Sequence, residues 1–406
     1  MSIAADNRQA QRGMDGMNKL AKFATDRRCT LLGVGPVSKN CVDAAIELSN
    51  EYSVPLMLIA SRRQIEMGKL GGGYVNNWTT ESFAEYVIDN DKGGKIILAR
   101  DHGGPWQHPG EVREKLSLRR AMESAKASFE VDINSGFDMI HIDPCIDVHS
   151  QRTVDEILER VYELYEFCYR AAQKNGRDLL FEVGTDEQGV TAQDLDQFEY
   201  ILSNIIEFCR SSGLPRPTFI VAQTGTKVME MENVGTFDSP FRLRRELPVE
   251  IQVPRLLQIC RKYRIWLKEH NVDYLSDESL AWHPKLGIHA VNVAPEFGVT
   301  ETRALLKLFQ DNRLNSCADQ FIELSYNSKK WEKWMRSDTT KRTIDRAMIA
   351  GHYVFADPRC VEIKQEAQRR LCGIDIDTHL RNEVKKSIYR YMKLLNLLDY
   401  LNKGSA

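Results

Sequence analysis

Eight short apolar runs, each bounded by turn residues, constrain the fold of this chain more than any other feature. In chain order they are TLLGVG (30–35), PLMLIA (55–60), KIILAR (95–100), DMIHID (138–143), DLLFEV (178–183), TFIVAQ (218–223), RIWLKEH (264–270) and KLGIHAVNV (285–293). Continuous apolar runs of this length are typical of strands that are buried on both faces, as in a parallel sheet.

The stretches between these runs have the periodicity of helices. Residues 153–176 place apolar side chains near i, i+3 and i+4 and end at Gly176, a residue type favoured just beyond a helix C-terminus. Strands alternating with helices predict an α/β fold, a (β/α)8 TIM barrel with a C-terminal helical extension. The alternative is a doubly wound open sheet. The barrel is favoured because GVGPVS (33–38) lacks the third glycine of a dinucleotide-binding fingerprint.

The order of predicted strands and helices divides the chain into two regions. The barrel, with its metal and substrate site, is predicted over residues 1–311. A helical extension packed on the barrel is predicted over 312–406, where 377–404 has the longest helical pattern and no linker rich in Pro, Gly or Ser intervenes.

Composition narrows the function classes. The 406 residues are 42% hydrophobic and 28% charged, as in ordinary soluble proteins, and the net charge of −2 gives no basic excess for binding nucleic acid. No apolar run approaches the roughly 20 residues that span a bilayer. The nine cysteines form no CxxC pair, which argues against a disulfide framework and a structural zinc site. Together with an N-terminus that lacks the apolar core of a signal peptide, these features predict a cytoplasmic protein without membrane or nucleic-acid partners.

Polar residues cluster where the third to eighth predicted strands end. They are Arg100, Asp101 and His102, then His141 and Asp143, Glu182 and Asp186, Gln223 and Lys227, His270, Asp273 and Tyr274, and finally Asn292 and Glu296. In a barrel of this kind the chemistry takes place at the C-terminal ends of the strands. Charged side chains are seldom buried without partners, so these residues predict one polar site at the barrel mouth.

Imidazole and carboxylate groups are suited to binding a divalent metal, here expected to be Zn²⁺. His102 and His270 are the predicted nitrogen ligands, and Asp143 and Glu182 are the candidate oxygen ligands. Asp101 is next to a ligand and is placed to move a proton, so the predicted catalytic residues are Asp101, Asp143 and Glu182.

The remaining polar residues of this set are predicted to bind substrate. They are Arg100, His141, Asp186, Gln223, Lys227, Asp273, Tyr274, Asn292 and Glu296. His141 alternates with Asp143 on one strand, so it either faces the site or is a hydrogen-bonded core residue.

The chain resembles the class II tagatose-bisphosphate aldolase accessory ("non-catalytic") subunit family in motifs that keep their order from about residue 30 to 372. They include GGGYVNNWTTESF (71–83), DHGGPW (101–106), MIHIDPC (139–145), VGTDEQG (183–189), EHNVDYLSDESL (269–280), YNSKKWEKWM (326–335) and IDRAMIAGHYVFADPRCVE (344–362). The last motif adds Arg346 to the predicted substrate-binding residues.

This resemblance implies a TIM barrel related to metal-dependent ketose-bisphosphate aldolases. The expected function is that of a metal-dependent carbohydrate enzyme acting on a ketose phosphate or a related acidic sugar. Its retro-aldol and aldol chemistry at C3–C4 would lead to aldolase-like cleavage or to 4-epimerisation. The alternative is a non-catalytic subunit that stabilises a separate tagatose-bisphosphate aldolase. A homo-oligomer is expected, and under the alternative a partner aldolase subunit.

Three departures from the family pattern concern the substrate. Arg100 stands where the family has glycine, ASRRQIEMGK (60–69) adds Arg62 and Arg63, and Glu296 replaces a small residue. The guanidinium group suits phosphate and carboxylate alike. Arg62 and Arg63 therefore either bind an anionic substrate or are solvated loop residues.

Overall fold

A computed structural model, which describes residues 20, 29–185, 194–238 and 248–398, shows a closed barrel of eight parallel strands. The barrel strands are β1 (Leu31–Val34), β2 (Leu56–Ser61), β3 (Ile96–Gly103), β4 (Met139–Ile142), β5 (Leu180–Val183), β6 (Phe219–Ala222), β9 (Trp266–Glu269) and β10 (Ala290–Val293). They neighbour one another in the order β1-β10-β9-β6-β5-β4-β3-β2. The prediction of a (β/α)8 barrel is confirmed. A two-stranded hairpin of β7 (Val228–Met229) and β8 (Glu232–Asn233) follows β6.

Helices alternate with the barrel strands and continue beyond them. They are α1 (Lys39–Tyr52), α2 (Thr80–Asn90), α3 (Pro109–Arg113), α4 (Leu118–Ser135), α5 (Val154–Lys174), α6 (Leu195–Ser211), α7 (Val249–Tyr263), α8 (Asp277–Leu286), α9 (Pro295–Asp311), α10 (Asn315–Asn327), α11 (Thr343–Ala350), α12 (Pro358–Arg370) and α13 (Ile376–Leu394). Short 3₁₀ helices lie at Gly68–Leu70, Glu332–Trp334 and Gly351–Val354.

Local sequence explains where the helix α5 begins and ends. Thr153 and Glu156 form a reciprocal capping box at its N-terminus, so two backbone N–H groups that lack helical partners are satisfied. At the other end Gly176 adopts a φ of 62°, the left-handed conformation expected just beyond the last turn. This agrees with the helix predicted over 153–176.

The C-terminal helices pack directly on the barrel. α13 lies against α1 and α9, and beyond it the carbonyl of Leu395 accepts a hydrogen bond of 3.0 Å from the N–H of Thr30, just before β1. α9 also contributes Leu305 and Phe309 to a second apolar cluster, which it shares with α10, α12 and α13. The division at residue 311 stays a prediction. In the described part of the chain, no helix is both long enough and apolar enough to cross a membrane.

Candidate active site

A bulge in β3 aims two successive polar side chains at the mouth of the barrel. Arg100 pairs with Ile140 and Gly103 with Ile142, so β3 holds one more residue than β4 over this interval. His102 lies within the bulge at a φ of 45°, a left-handed conformation that is uncommon for a side-chain-bearing residue. Strict alternation would send neighbouring side chains to opposite faces, but here Asp101 and His102 both line the central cavity.

Four buried side chains from four strands of the barrel converge beneath this mouth. They are Asp101 of β3, His141 of β4, Glu182 of β5 and His270 directly after β9, and one potential ligand atom from each lies within 4.8 Å of the others. His141 and Glu182 are register partners across β4 and β5, which places their side chains side by side inside the barrel. His270 Nε2 lies 3.1 Å from Glu182 Oε1, and His141 Nδ1 lies 3.4 Å from Asp101 Oδ1.

Charges around the cluster keep its carboxylates ionised. Burial alone would raise the pKa of Glu182, but the ammonium of Lys268 and then the neighbouring histidines lower it to about 2. The Lys268 Nζ lies 2.6 Å from Glu182 Oε2 inside the barrel. The pKa of Asp101 is also held well below its usual range, because the adjacent histidines outweigh the effect of burial. Two carboxylates and two imidazoles at this spacing form a donor set that suits a divalent metal.

His102 and Asp143 form a separate pair at the edge of this cluster. His102 Nδ1 lies 2.6 Å from Asp143 Oδ2, and Gln107 donates its amide N–H to the same oxygen at 3.0 Å. Burial would lower the pKa of His102, but Asp101 and Asp143 raise it to about 9, and the pKa of Asp143 falls to about 2 beside the imidazole despite its burial. The His102 side chain is 37% exposed and lines the cavity, so a substrate can reach its Nε2.

The contacts change the ligand set expected from the sequence. Glu182 and His270 belong to the converging group as predicted, but His102 and Asp143 bond to each other instead. Asp101, expected to move a proton, and His141, expected to bind substrate, take their places in the group. His102 nevertheless lies directly beside this group, because its Nε2 is 3.8 Å from Asp101 Oδ2 and its ring centroid is 5.1 Å from that of His270.

A cavity of about 600 Å³ opens above the cluster. Six of the predicted site residues line it, namely Asp101, His102, Asp143, His270, Asp273 and Asn292. Asn292 donates its amide N–H to Asp101 Oδ1 at 3.3 Å, which orients that carboxylate. Asp273 accepts the backbone N–H groups of Ala294 and Glu296, while burial and the nearby Glu296 charge raise its pKa to about 8.

Arg100 was expected to bind substrate, but in this structure its guanidinium is occupied by other groups of the protein. Its guanidinium is fully buried on the helix side of β3 and forms a bidentate pair with Asp132 of α4. Nη1 donates to the carbonyls of Ala60 and Ile65 at 2.9 and 2.7 Å. Because alternation turns Asp101 inward, Arg100 must point outward, where it ties β2, β3 and α4 together.

Glu296, also expected to bind substrate, makes contacts within the protein. Its Oε2 accepts the backbone N–H of Tyr274 at 2.6 Å and the hydroxyl of Tyr391 at 2.5 Å, which fastens α13 to the barrel. The remaining predicted substrate-binding residues with described positions lie outside the cavity lining, and they are Gln223, Lys227, Tyr274 and Arg346. Asp186 falls outside the described residues.

The two arginines that follow β2 have different environments. Arg62 is buried and pairs with Glu66 at 2.6 Å and Glu111 at 2.8 Å, and it donates to the carbonyl of Gly104. Arg63 is exposed and lines the cavity. Arg62 therefore supports the loop after β3, whereas Arg63 remains available to a ligand.

Several cavity and cluster residues were not among those predicted. Lys268 lies in RIWLKEH, where the alternation of a strand places it on the same face as His270 and opposite Glu269. The two-residue alternation of a strand could therefore have identified Lys268 from the sequence. Gln107 and Lys333 line the cavity from a loop and from the C-terminal extension, and no spacing in the sequence indicates their approach.

No protein-family model matches this chain, and no curated protein sequence matches it significantly. Among solved structures, it is similar to a probable tagatose 6 phosphate kinase from Sinorhizobium meliloti 1021, at 15% identity and a TM-score of 0.73 over 90% of this chain and 100% of that one. It is also similar to fructose-bisphosphate aldolase (Fba) from Campylobacter jejuni, at 12% identity and a TM-score of 0.55 over 94% of both chains. Fructuronate-tagaturonate epimerase UxaE from Cohnella laeviribosi gives 12% identity and a TM-score of 0.57 over 92% of this chain and 82% of that one. The chain therefore shares its barrel fold with structures named as an aldolase and as a sugar-acid epimerase.

Proposed function

We propose that this chain is a metal-dependent enzyme that acts on a ketose phosphate or an acidic ketose by retro-aldol and aldol chemistry at C3–C4. The observation that carries the proposal is the convergence of Asp101, His141, Glu182 and His270 within 4.8 Å, with Asp101 and His270 lining a cavity of about 600 Å³. A cavity of this size accommodates a phosphorylated hexose. Two of the three structural neighbours are named as an aldolase and an epimerase, which supports the same class of reaction, and the third is named as a probable tagatose 6 phosphate kinase.

The four converging residues would hold the metal, with Zn²⁺ as the expected ion. A divalent ion bound there would act as a Lewis acid on the oxygens of a ketose and stabilise negative charge that develops beside its carbonyl. Asn292 would keep Asp101 oriented, and Lys268 would hold Glu182 ionised and in place. Such supporting contacts commonly affect metal affinity about 10- to 100-fold.

His102 would move the proton at the hydroxyl oxygen of C4. The Asp143 carboxylate engages Nδ1 at 2.6 Å, which leaves Nε2 directed at the cavity. Neutral His102 would remove the proton from that oxygen, which permits the C3–C4 bond to break, and the resulting imidazolium would return it when the bond re-forms. Because the pKa of His102 is raised to about 9, the imidazole must first lose its proton before it can act as this base. Release of the two fragments would be cleavage, and re-joining them on the other face would be 4-epimerisation.

Turnover and metal content together test this proposal. The full chain, loaded with Zn²⁺ or Mn²⁺, is incubated with ketose phosphates and ketohexuronates, and NMR detects epimers or three-carbon products. Glu182→Gln and His270→Ala should lose both metal and turnover, whereas Gln223→Ala, outside the cavity lining, should retain both. Full metal content in both cluster variants would contradict the proposal. Turnover that appears only when a separate aldolase is added, and persists in these variants, would favour the supporting-subunit alternative.

A further inference from the structure

Two cationic side chains that line the cavity have no carboxylate partner among the described residues. They are Arg63, in the turn after β2, and Lys333, in the 3₁₀ helix Glu332–Trp334 of the C-terminal extension. Other cationic side chains of the barrel do have a carboxylate partner. Arg62 pairs with Glu66, Arg100 pairs with Asp132, and Lys268 pairs with Glu182. The cavity therefore carries excess positive charge where Arg63 and Lys333 line it.

A chain of packed rings connects the two residues. The carbonyl of Arg63 accepts the N–H of Tyr74, and the ring of Tyr74 lies 4.7 Å from that of Tyr353. The Lys333 Nζ lies 5.4 Å from the Tyr353 ring and 4.5 Å from the Trp334 ring. These aromatic faces hold the lysine stem without neutralising its charge.

The segment that carries Lys333 is anchored over the barrel mouth. The carbonyl of Trp334 accepts the N–H of Glu230, between β7 and β8, at 2.7 Å, and the Trp334 indole donates to the Tyr353 hydroxyl at 3.2 Å. Arg336 also pairs with Glu232 of the hairpin. The backbone next to Lys333 is therefore held against the barrel loops through Trp334 and Arg336.

We propose that Arg63 and Lys333 bind the anionic terminal group of the substrate, a phosphate or a carboxylate, while the Asp101–His270 cluster engages the ketose end. This inference rests on the proposed function and adds that the C-terminal extension completes the active site. A guanidinium with an ammonium is a common pairing for oxyanions, since the first gives directed donors and the second a compact charge.

The protonation behaviour of Lys333 agrees with this role. The Lys333 side chain is exposed at the cavity, but the protein packed around its ammonium and then the positive charges of Arg63 and Lys330 lower the pKa of Lys333 to about 7. His352, whose pKa falls to about 3 through burial and then the Lys333 charge, and Tyr353 also face it. A bound anion would favour the ammonium, so anion affinity should fall as the pH rises from 6 to 8.5. Sulfate is a suitable probe because it stays doubly charged throughout that range.

The subsite can be tested without turnover. Calorimetry or NMR titration measures the affinity of the full chain for sulfate and for inorganic phosphate. Arg63→Ala and Lys333→Ala should each weaken binding about tenfold or more, and Lys333→Ala should also reduce the pH dependence with sulfate. Asp273 and His102 line the same cavity with pKa values of about 8 and 9, so a smaller pH dependence should persist in that variant. Lys330→Ala removes a neighbouring charge that does not line the cavity, so its effect should stay below about threefold. Unchanged melting temperatures would establish that the variants fold.

Comparison of glycerol 3-phosphate with glycerate distinguishes a phosphate from a carboxylate as the natural group. The probe that loses more affinity in the Arg63→Ala and Lys333→Ala variants identifies whether the substrate carries a phosphate or a carboxylate. The Asp101→Asn variant should bind either probe with wild-type affinity, because the anion subsite does not include Asp101. If the wild-type protein binds anions through Arg63 and Lys333 but turns over no sugar, the subsite is supported and the proposed reaction is contradicted. Wild-type affinity for both anions in Arg63→Ala and Lys333→Ala would overturn the inference.

Discussion

His102 Nδ1 lies 2.6 Å from Asp143 Oδ2, and this contact joins the bulge of β3 to the residue that follows β4. It sets the orientation of an imidazole whose other nitrogen faces the cavity. Asp143 is itself held, because Gln107 donates to its side chain and the N–H of Cys145 donates to its other oxygen at 3.3 Å. The pair is thus held in a fixed orientation beside the group of Asp101, His141, Glu182 and His270, where the proposed function gives it the proton transfer.

Asp143→Asn should lower kcat by about 10² to 10⁴ while the bound metal is retained. The amide can no longer stabilise a protonated His102, so the pKa of the imidazole should fall and the pH–rate profile should shift with it. Turnover measured by NMR and metal content measured by mass spectrometry provide the two readouts. Loss of metal from this variant would show instead that Asp143 is a ligand, as the sequence suggested.

Lys268→Met should destabilise the fold by about 3–5 kcal/mol, because it leaves the buried Glu182 carboxylate without its ammonium partner. The double variant Lys268→Met/Glu182→Gln removes both charges and should recover much of that loss. Urea unfolding of metal-free protein measures the effect without compensation from a bound ion. A single variant within about 1 kcal/mol of wild type would mean that the pair contributes little.

Arg100→Met should also cost about 3–5 kcal/mol, since the Asp132 carboxylate would then remain buried and unpaired. Its matched control is Arg63→Ala, which removes an exposed guanidinium and should change the free energy of unfolding by less than about 0.5 kcal/mol. In anion binding the order should be reversed, with Arg63→Ala losing affinity and Arg100→Met retaining it. An Arg100 variant that folds normally but binds anions weakly would restore the role expected from the sequence.

Glu301 should make folding stability depend on pH between about 4.5 and 7. It is buried in α9, where it accepts hydrogen bonds from the Ser38 hydroxyl and the Asn40 amide, and burial raises its pKa to about 7. The folded state therefore binds a proton more tightly than the unfolded state. This contribution is fully present below pH 4.5 and is lost as the pH rises through 7.

Glu301→Gln removes that titration. The pKa of Glu301 differs by about 2.5 units between the unfolded and folded states, which corresponds to roughly 3 kcal/mol of stability at most. The stability of the variant relative to wild type should therefore be higher at pH 8 than at pH 5. Urea unfolding of both proteins at the two pH values measures the difference, and titrations shared by both proteins cancel. Parallel stability curves would contradict the raised pKa.

The sequence by itself indicates the barrel and the location of its site. Apolar runs of four to eight residues alternating with helical patterns are the physical signature of strands covered on both faces. Once those strands are parallel, their carboxyl ends meet at one rim, so Asp101, His102, Glu182 and His270 were expected at a single mouth. Residue type and position along a strand are sufficient for that inference.

Tertiary structure decided which role each of these residues can take. The bulge in β3 brings both Asp101 and His102 to the barrel mouth, where Asp101 joins His141, Glu182 and His270 while His102 pairs with Asp143. The packing of α4 gives Arg100 a partner in Asp132, which removes it from the site. Lys333 reaches the cavity only because the extension folds back over the barrel and docks on the β7–β8 hairpin. Such long-range contacts depend on register, bulges and helix docking, whereas strand positions follow from local pattern.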